Sequence, residues 1–189
     1  MKTKLILFLF FYGSILFGQN QGNNWYFGYY AGLSFSGGTP TVITDTKMVT
    51  SEGCASVSDD NGNLLFYTDG RRVWDASNTE MNDGTGVFLT GNGSSTQSAV
   101  VCPKPCTYNK ASSRFDNYYI VTVDVTGGSN GVRFTEIDMT LNGGLGGIVT
   151  TQKNILLYDT TTNESITVTK HANGNDYWII GKEVGNTTY

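Results

Sequence analysis

Histidine is almost missing from this sequence: His171 is the only one. One imidazole builds no multi-histidine metal centre, and with no G-x-S-x-G elbow in the chain it has no acyl-transfer partner. Beside Lys170 at the end of a strand pattern, it is expected to be a hydrogen-bonded structural residue. Charge is also scarce, at 15% of residues. Beyond residue 18 there is no heptad repeat and no long segment of helical period, which excludes a helical bundle or coiled coil. No apolar run there approaches the roughly 20 residues that span a bilayer. Proline occurs three times, twice inside Cys102-Pro103-Lys104-Pro105-Cys106.

The first residues carry the one apolar run. Lys2 and Lys4 precede an apolar stretch over 5–17, interrupted by Gly13 and Ser14, and Gly18 is a small residue suited to cleavage. Residues 1–18 are therefore expected to form a signal-peptide helix, with Gln19 first in the mature chain. No cysteine follows closely enough for a lipid anchor. The expected location is secreted or cell surface, with no stable membrane span after cleavage. Without residues 1–18 the chain keeps ten basic and sixteen acidic side chains, a net charge of −6. That argues against nucleic acid or anionic lipid as a partner.

What the chain does have is glycine, 24 residues, and aromatics, 13%. Together with runs of β-formers these indicate an all-β fold rich in turns. The stretch from 53 to 74, GCASVSDDNGNLLFYTDGRRVW, shows it most plainly. An alternating strand over 54–58 leads through Asp59-Asp60-Asn61-Gly62-Asn63 into a β-former strand over 64–68. Asp69-Gly70 then turns the chain into a third strand over 71–74. Further strands are expected at 25–27, 33–35, 41–44, 87–89, 97–102, 118–123, 131–138, 148–151, 154–158, 166–170 and 177–181.

These strands recur in order. A first strand (54–58, 98–102, 166–170) leads into an aromatic-rich one (64–68, 118–123, 177–181), and the aromatic strands start 54 and 59 residues apart. The order and period predict a partial β-propeller of four-stranded antiparallel blades, with a β-sandwich as the rival. Approximate blades are 23–50, 53–90, 96–159 and 165–189. Two are complete and two partial, so residues 19–189 are read as an incomplete propeller-like domain from the front of a longer protein. Unpaired sheet edges at both ends predict self-association.

Several motifs now carry a resemblance. NNWYFG…AGLSF, SEGCASVSDDNGNLLFYTDGRRVW, SSTQSAVVCPKP, the MTLNGGLGGIV turn and KHANGNDYWII, in this order, resemble the N-terminal propeller-like region of large secreted surface proteins of gliding bacteria. Those proteins typically continue into polycystic-kidney-type repeats and a gliding-motility-associated sorting domain for type IX secretion. The resemblance covers nearly all of residues 23–189 and implies surface display or adhesion. No catalytic residue carries over. Nothing here corresponds to the sorting domain, and CTYNKASSRFD (106–116) is a longer loop than the family usually has.

Candidate sites are few. In an oxidising compartment Cys102 and Cys106 are candidates for a small disulfide loop, if their Cα atoms come within about 7 Å. A metal knuckle would need a second Cys or His pair, and Cys54 reads as a small buried hydrophobe. Ser58-Asp59-Asp60-Asn61-Gly62 approaches the S-x-D-x-G Asp-box, whose aspartate bonds the backbone of its own turn. The oxygens of Asp59, Asp60, Asn61 and Asn63 form a weak Ca²⁺ candidate, because an EF-hand loop starting at Asp59 would need Glu where Gly70 stands. Arg71 and Arg72 suit an acidic ligand, yet strand alternation would send them to opposite faces. The aromatics suit sugar stacking, but blade packing claims most of them. Asn92, Asn163 and Asn186 begin N-glycosylation patterns and read as chance matches.

The expected function is a non-catalytic exported module without a cofactor, acting in adhesion or display through contacts with a surface protein or glycan. A propeller enzyme acting on glycans is one alternative, needing two carboxylates about 5–9.5 Å apart. A structural spacer without a ligand is the other.

Overall fold

The computed structural model describes residues 20–126, 128–160 and 162–185. The expected signal peptide, residues 1–18, and the end of the fourth unit, residues 186–189, lie outside the described residues. Among the described residues no helix is long and apolar enough to cross a membrane.

The fold is all-β, built of small antiparallel sheets, none of which closes on itself. In the first sheet β1 (Asn24–Phe27), β2 (Ala31–Ser34) and β3 (Thr41–Ile43) pair as a meander. Tyr26, Gly32 and Ile43 share one face, and Trp25, Leu33 and Val42 share the other. The second sheet is β4 (Ala55–Ser58), β5 (Leu64–Thr68) and β6 (Val73–Asp75), with a bulge between Val57 and Ser58. The third is the largest. Here β7 (Ala99–Pro103) pairs β10 (Asn117–Val123), which pairs β11 (Val132–Asp138). The outer edge of β11 is shared by two short strands, β12 (Gly147–Ile148) and β13 (Ile155–Tyr158). Between β7 and β10 the long loop forms its own hairpin, β8 (Tyr108–Asn109) with β9 (Arg114–Phe115). A final pair, β14 (Thr162–Lys170) and β15 (Tyr177–Glu183), makes the fourth main sheet.

The second sheet, expected as a complete four-stranded blade, thus has three strands, while the first and fourth are partial as expected and the third has five. The clearest difference lies at 87–89, expected as a fourth strand and found as irregular chain. Its backbone groups are taken elsewhere. Asn154 Nδ2 donates to the Phe88 carbonyl at 2.9 Å, Lys153 Nζ donates to that of Val87, and Leu89 N donates to Arg71 O at 2.9 Å. With these groups engaged by side chains and a turn, no ladder forms along β6. A single bridge, Trp74 with Glu80, stands in its place.

The core lies between successive sheets. Tyr26 of β1 stacks on Tyr67 of β5 at 4.5 Å, and Tyr67 stacks on Trp74 at 5.3 Å. The Tyr67 hydroxyl is satisfied, accepting from Lys47 N and donating to Asn78 Oδ1, both at 2.9 Å. On the other side of β5, Leu65 and Phe66 pack with Tyr118, Ile120, Ile137 and Met139 of the third sheet region. Val121, Val123 and Val132 then pack with Ile166 of β14. Because β5 is covered on both faces, it reads as an unbroken β-former run and not as an alternation.

The first strands of consecutive sheets lie side by side, β4 against β7 and β7 against β14. Glycine permits the closest approach. At Gly70, φ is +81°, and a Cβ there would fall 2.0 Å from Ser98 Oγ. Polar links hold the fourth sheet on. Glu164 accepts from Thr96 N at 2.8 Å and Thr126 N at 2.9 Å, and Ile166 N donates to Gln97 Oε1 at 3.1 Å.

Candidate binding surfaces

The Asp59 cluster is a turn. Asp59 Oδ1 accepts from Asn61 N at 2.9 Å and Asn63 N at 2.8 Å, and its Oδ2 accepts from Asn63 Nδ2 at 2.9 Å. In the S-x-D-x-G spacing Asp60 holds the aspartate position, but the structure gives turn closure to Asp59. Asp60 reaches away, accepting from Gln21 Nε2 and from the Tyr108 hydroxyl. Of the four candidate Ca²⁺ ligands Asp59, Asp60, Asn61 and Asn63, the two carboxylates are committed in different directions, Asp59 to its own turn and Asp60 to Gln21 and Tyr108. Among the described residues no group of three or more His, Cys, Asp or Glu side chains is placed to hold a metal ion.

The same device recurs. Asp69, Asp75, Asp83 and Asp138 each accept a backbone N–H two residues on. The acidic surplus of the chain is largely turn chemistry, in which short carboxylates satisfy amides that no ladder reaches.

The cysteines are unbonded. Cys102 is buried within β7, and burial pushes its thiol up to about 11. The chain then leaves the strand through Pro103-Lys104-Pro105. Cys106 takes a left-handed φ of 64°, and its thiol is exposed and turned to Asn175 Oδ1 at 3.6 Å. The disulfide considered for Cys102 and Cys106 is not formed in this structure, where one thiol is buried and the other exposed. His171 caps the last hairpin turn. Its N donates to Asp176 O at 2.8 Å, Asn173 N donates to its Nδ1 at 3.1 Å, and its ring tilts against Trp178.

Arg71 and Arg72 reverse the expectation. The residues before Val73 are not strand, because Asp69 Oδ1 accepts from both Arg71 N at 2.8 Å and Arg72 N at 2.7 Å. Thr68 closes the turn further, its Oγ1 accepting from Gly70 N and donating to Arg72 O. Alternation therefore does not apply. Both guanidiniums come over the Phe88 ring, at 5.2 and 4.7 Å from its centroid, within cation–π reach. Together they line a cleft of about 280 Å³, with Met81, Val87, Leu89 and Lys153 among its other walls. Phe88 and Lys153 escaped sequence reasoning because one sat in an apparent strand and the other is 65 residues away from it.

A second concavity runs along the first strands. One part, about 590 Å³, is lined by Ser56, Ser58, Phe115, Tyr118, Lys170 and Tyr177. The adjoining part, about 490 Å³, shares Ala55 and Val101 with it and adds Glu52, Gln97 and Thr167. The Ser56 hydroxyl donates to Asn24 O, and that of Ser58 accepts from Asn24 Nδ2, so both are tied to the first sheet. Lys170 is exposed at the rim. Of the aromatics, Tyr26, Phe66, Tyr67, Trp74 and Tyr118 are core, while Trp25, Phe27, Tyr29, Tyr30 and Trp178 are exposed.

No protein-family model, no curated protein and no solved structure matches the chain.

Proposed function

We propose that this chain is a non-catalytic module, exported to the medium or the cell surface, that binds a surface protein or glycan through the trough along β4, β7 and β14. Its architecture in this reading is propeller-like: consecutive meander sheets stack face to face, and their first strands line a common inner wall. The order β7-β10-β11 with an outer edge strand, and the neighbouring of β4, β7 and β14, support that reading. So does the resemblance of the chain's motifs to the surface proteins of gliding bacteria.

The observation that carries the proposal is the lining of the trough. Phe115 and Tyr177 supply aromatic surface and Lys170 supplies a cation, on strands each laddered to one neighbour, β9 to β8 and β14 to β15. A concave wall of mixed aromatic and polar groups suits a ligand recognised by stacking and hydrogen bonds. The commitment of so many aspartates to turn amides supports the non-catalytic part, since a glycosidase needs carboxylates aimed at a substrate. Exposed Trp25 and Phe27 at one terminal sheet, and Trp178 and Ile180 at the other, support association through those sheets.

The test is retention of the chain on immobilised glycans and surface-protein extracts, with Tyr177→Ala as control, alongside turnover of chromogenic glycosides. Retention that Tyr177→Ala weakens is expected. No retention on any surface would favour the spacer, and turnover would restore the enzyme.

A further inference from the structure

The chain has four arginines, and the structure uses them in two ways. Arg114 clamps the carbonyls of Gly144 and Met139, and Arg133 clamps those of Asn130 and Asn154. These two are structural. The guanidiniums of Arg71 and Arg72 donate no hydrogen bond to any carbonyl among the described residues. Among the described residues Arg71 meets only the Phe88 ring, and Arg72 meets the ring and, through a loose contact from Nε, Glu80 at 3.7 Å. With both partners of that contact nearly half exposed, at 47% and 44%, it is weak competition for a ligand.

Two like charges are thus held over one ring in a protein of net charge −4. Of the other charges of the cleft, Lys153 is paired with Asp83 at 2.8 Å and Glu80 has the loose contact to Arg72. What remains is a pair of planar, unspent donor forks whose mutual repulsion an anion relieves. Such forks fit a carboxylate in a two-point contact. The rest of the lining narrows the ligand further. Met81, Val87, Leu89 and Ile148 make an apolar wall, while Asn82 and Glu80 offer hydrogen-bonding groups at the rim. A ring with one apolar face, a hydroxylated edge and a carboxylate matches all three features. The cleft's about 280 Å³ is small for a drug-sized ligand and suits one such ring.

We infer that the cleft between the Arg71–Arg72 turn and Phe88 binds the carboxylate of an acidic sugar, a hexuronate unit of a polysaccharide. This site lies apart from the trough along β4, β7 and β14, and the inference does not depend on that trough.

The experiment is calorimetric titration of the whole chain with a galacturonate oligomer at low salt. A neutral galactose oligomer and poly-glutamate serve as comparisons. Binding of the uronate alone is expected, with a loss of about tenfold or more in Arg71→Gln. The Arg71 side chain is exposed, and the turn is held through its backbone, so this variant keeps its fold. Glu80→Gln removes the internal competitor and is expected to tighten binding, and Tyr177→Ala is expected to leave it unchanged. Absence of uronate binding would overturn the inference, as would binding that survives both Arg71→Gln and Arg72→Gln. Equal binding of poly-glutamate would overturn the sugar assignment.

Discussion

Lys153 latches the second sheet to the third. Its ammonium donates to Asp83 Oδ2 at 2.8 Å, to Thr85 Oγ1 at 3.2 Å and to the Val87 carbonyl. Both side chains of the ion pair are nearly buried, at 8% exposure for Lys153 and 3% for Asp83. Lys153→Met keeps most of the stem and removes the charge. Asp83 would then keep only the Thr85 N–H at 3.1 Å and the Thr85 hydroxyl at 2.7 Å. Removing one partner of a buried pair costs about 3–5 kcal/mol, and the two surviving bonds place this case near 3. Replacing both partners, with Asp83→Leu added, leaves no stranded charge and should recover most of that loss. Urea unfolding followed by tryptophan emission, with Trp74 buried in the second sheet, measures both variants. A loss below about 1 kcal/mol in Lys153→Met would refute the reasoning and mark the pair as an ordinary surface contact. The pH dependence gives a second check. Burial raises the Asp83 carboxyl, but the hydrogen bonds from Lys153 and Thr85 outweigh it and hold the group below its ordinary 3.8. A depressed carboxylate stabilises the fold above its unfolded pKa, and that contribution fades as pH falls through the folded value. Acid should therefore destabilise the native chain more steeply than Lys153→Met.

Three other outcomes are expected. Gly70→Ala meets both a left-handed backbone and Ser98 Oγ, and should lower stability by more than about 1 kcal/mol in the same urea assay. Glu164 is held down to about 2 by the amides of Thr126 and Thr96, so its hold on the fourth sheet is complete above its ordinary 4.5 and is lost as pH falls toward 2. Emission of Trp178 should change over that window in the native chain and not in Glu164→Gln. With a thiol-alkylating reagent, exposed Cys106 should be modified first and Cys102 last, as read by mass after digestion.

Strands buried on both faces were the most legible in the sequence. The run over 64–68 has the bounds of β5, because its β-formers sit between two turn signals, Asn61-Gly62 and Asp69-Gly70. Side-chain bonds to the backbone were the least legible. Nothing local tells that Asp59, and not Asp60, closes the turn, since either carboxylate reaches amides two residues on. The Val87-Phe88-Leu89 run has strand composition, but its fate is decided by Lys153 and Asn154, distant in sequence. Arg71 and Arg72 failed for a related reason. The turn signal at Asp69-Gly70 was plain, but how far the aspartate would extend that turn was not, and two residues of extension cancel the alternation argument. The hairpin of β8 and β9 lay hidden in a loop whose strands are two residues each.

The pile of Tyr26, Tyr67 and Trp74 has an optical consequence. Rings stacked at 4.5 and 5.3 Å, with interplanar angles of 24° and 16°, couple their electronic transitions. Light absorbed by Tyr26 should drain through Tyr67 into Trp74, quenching tyrosine emission and giving a strong near-ultraviolet dichroism. Since Tyr26 belongs to the first sheet and the other two rings to the second, that signal gauges whether the two sheets are docked. If β1 peels away while β4 to β6 persist, the Tyr26–Tyr67 part of the dichroism should be lost and Tyr26 emission reappear, while the Tyr67–Trp74 part and the far-ultraviolet spectrum change little.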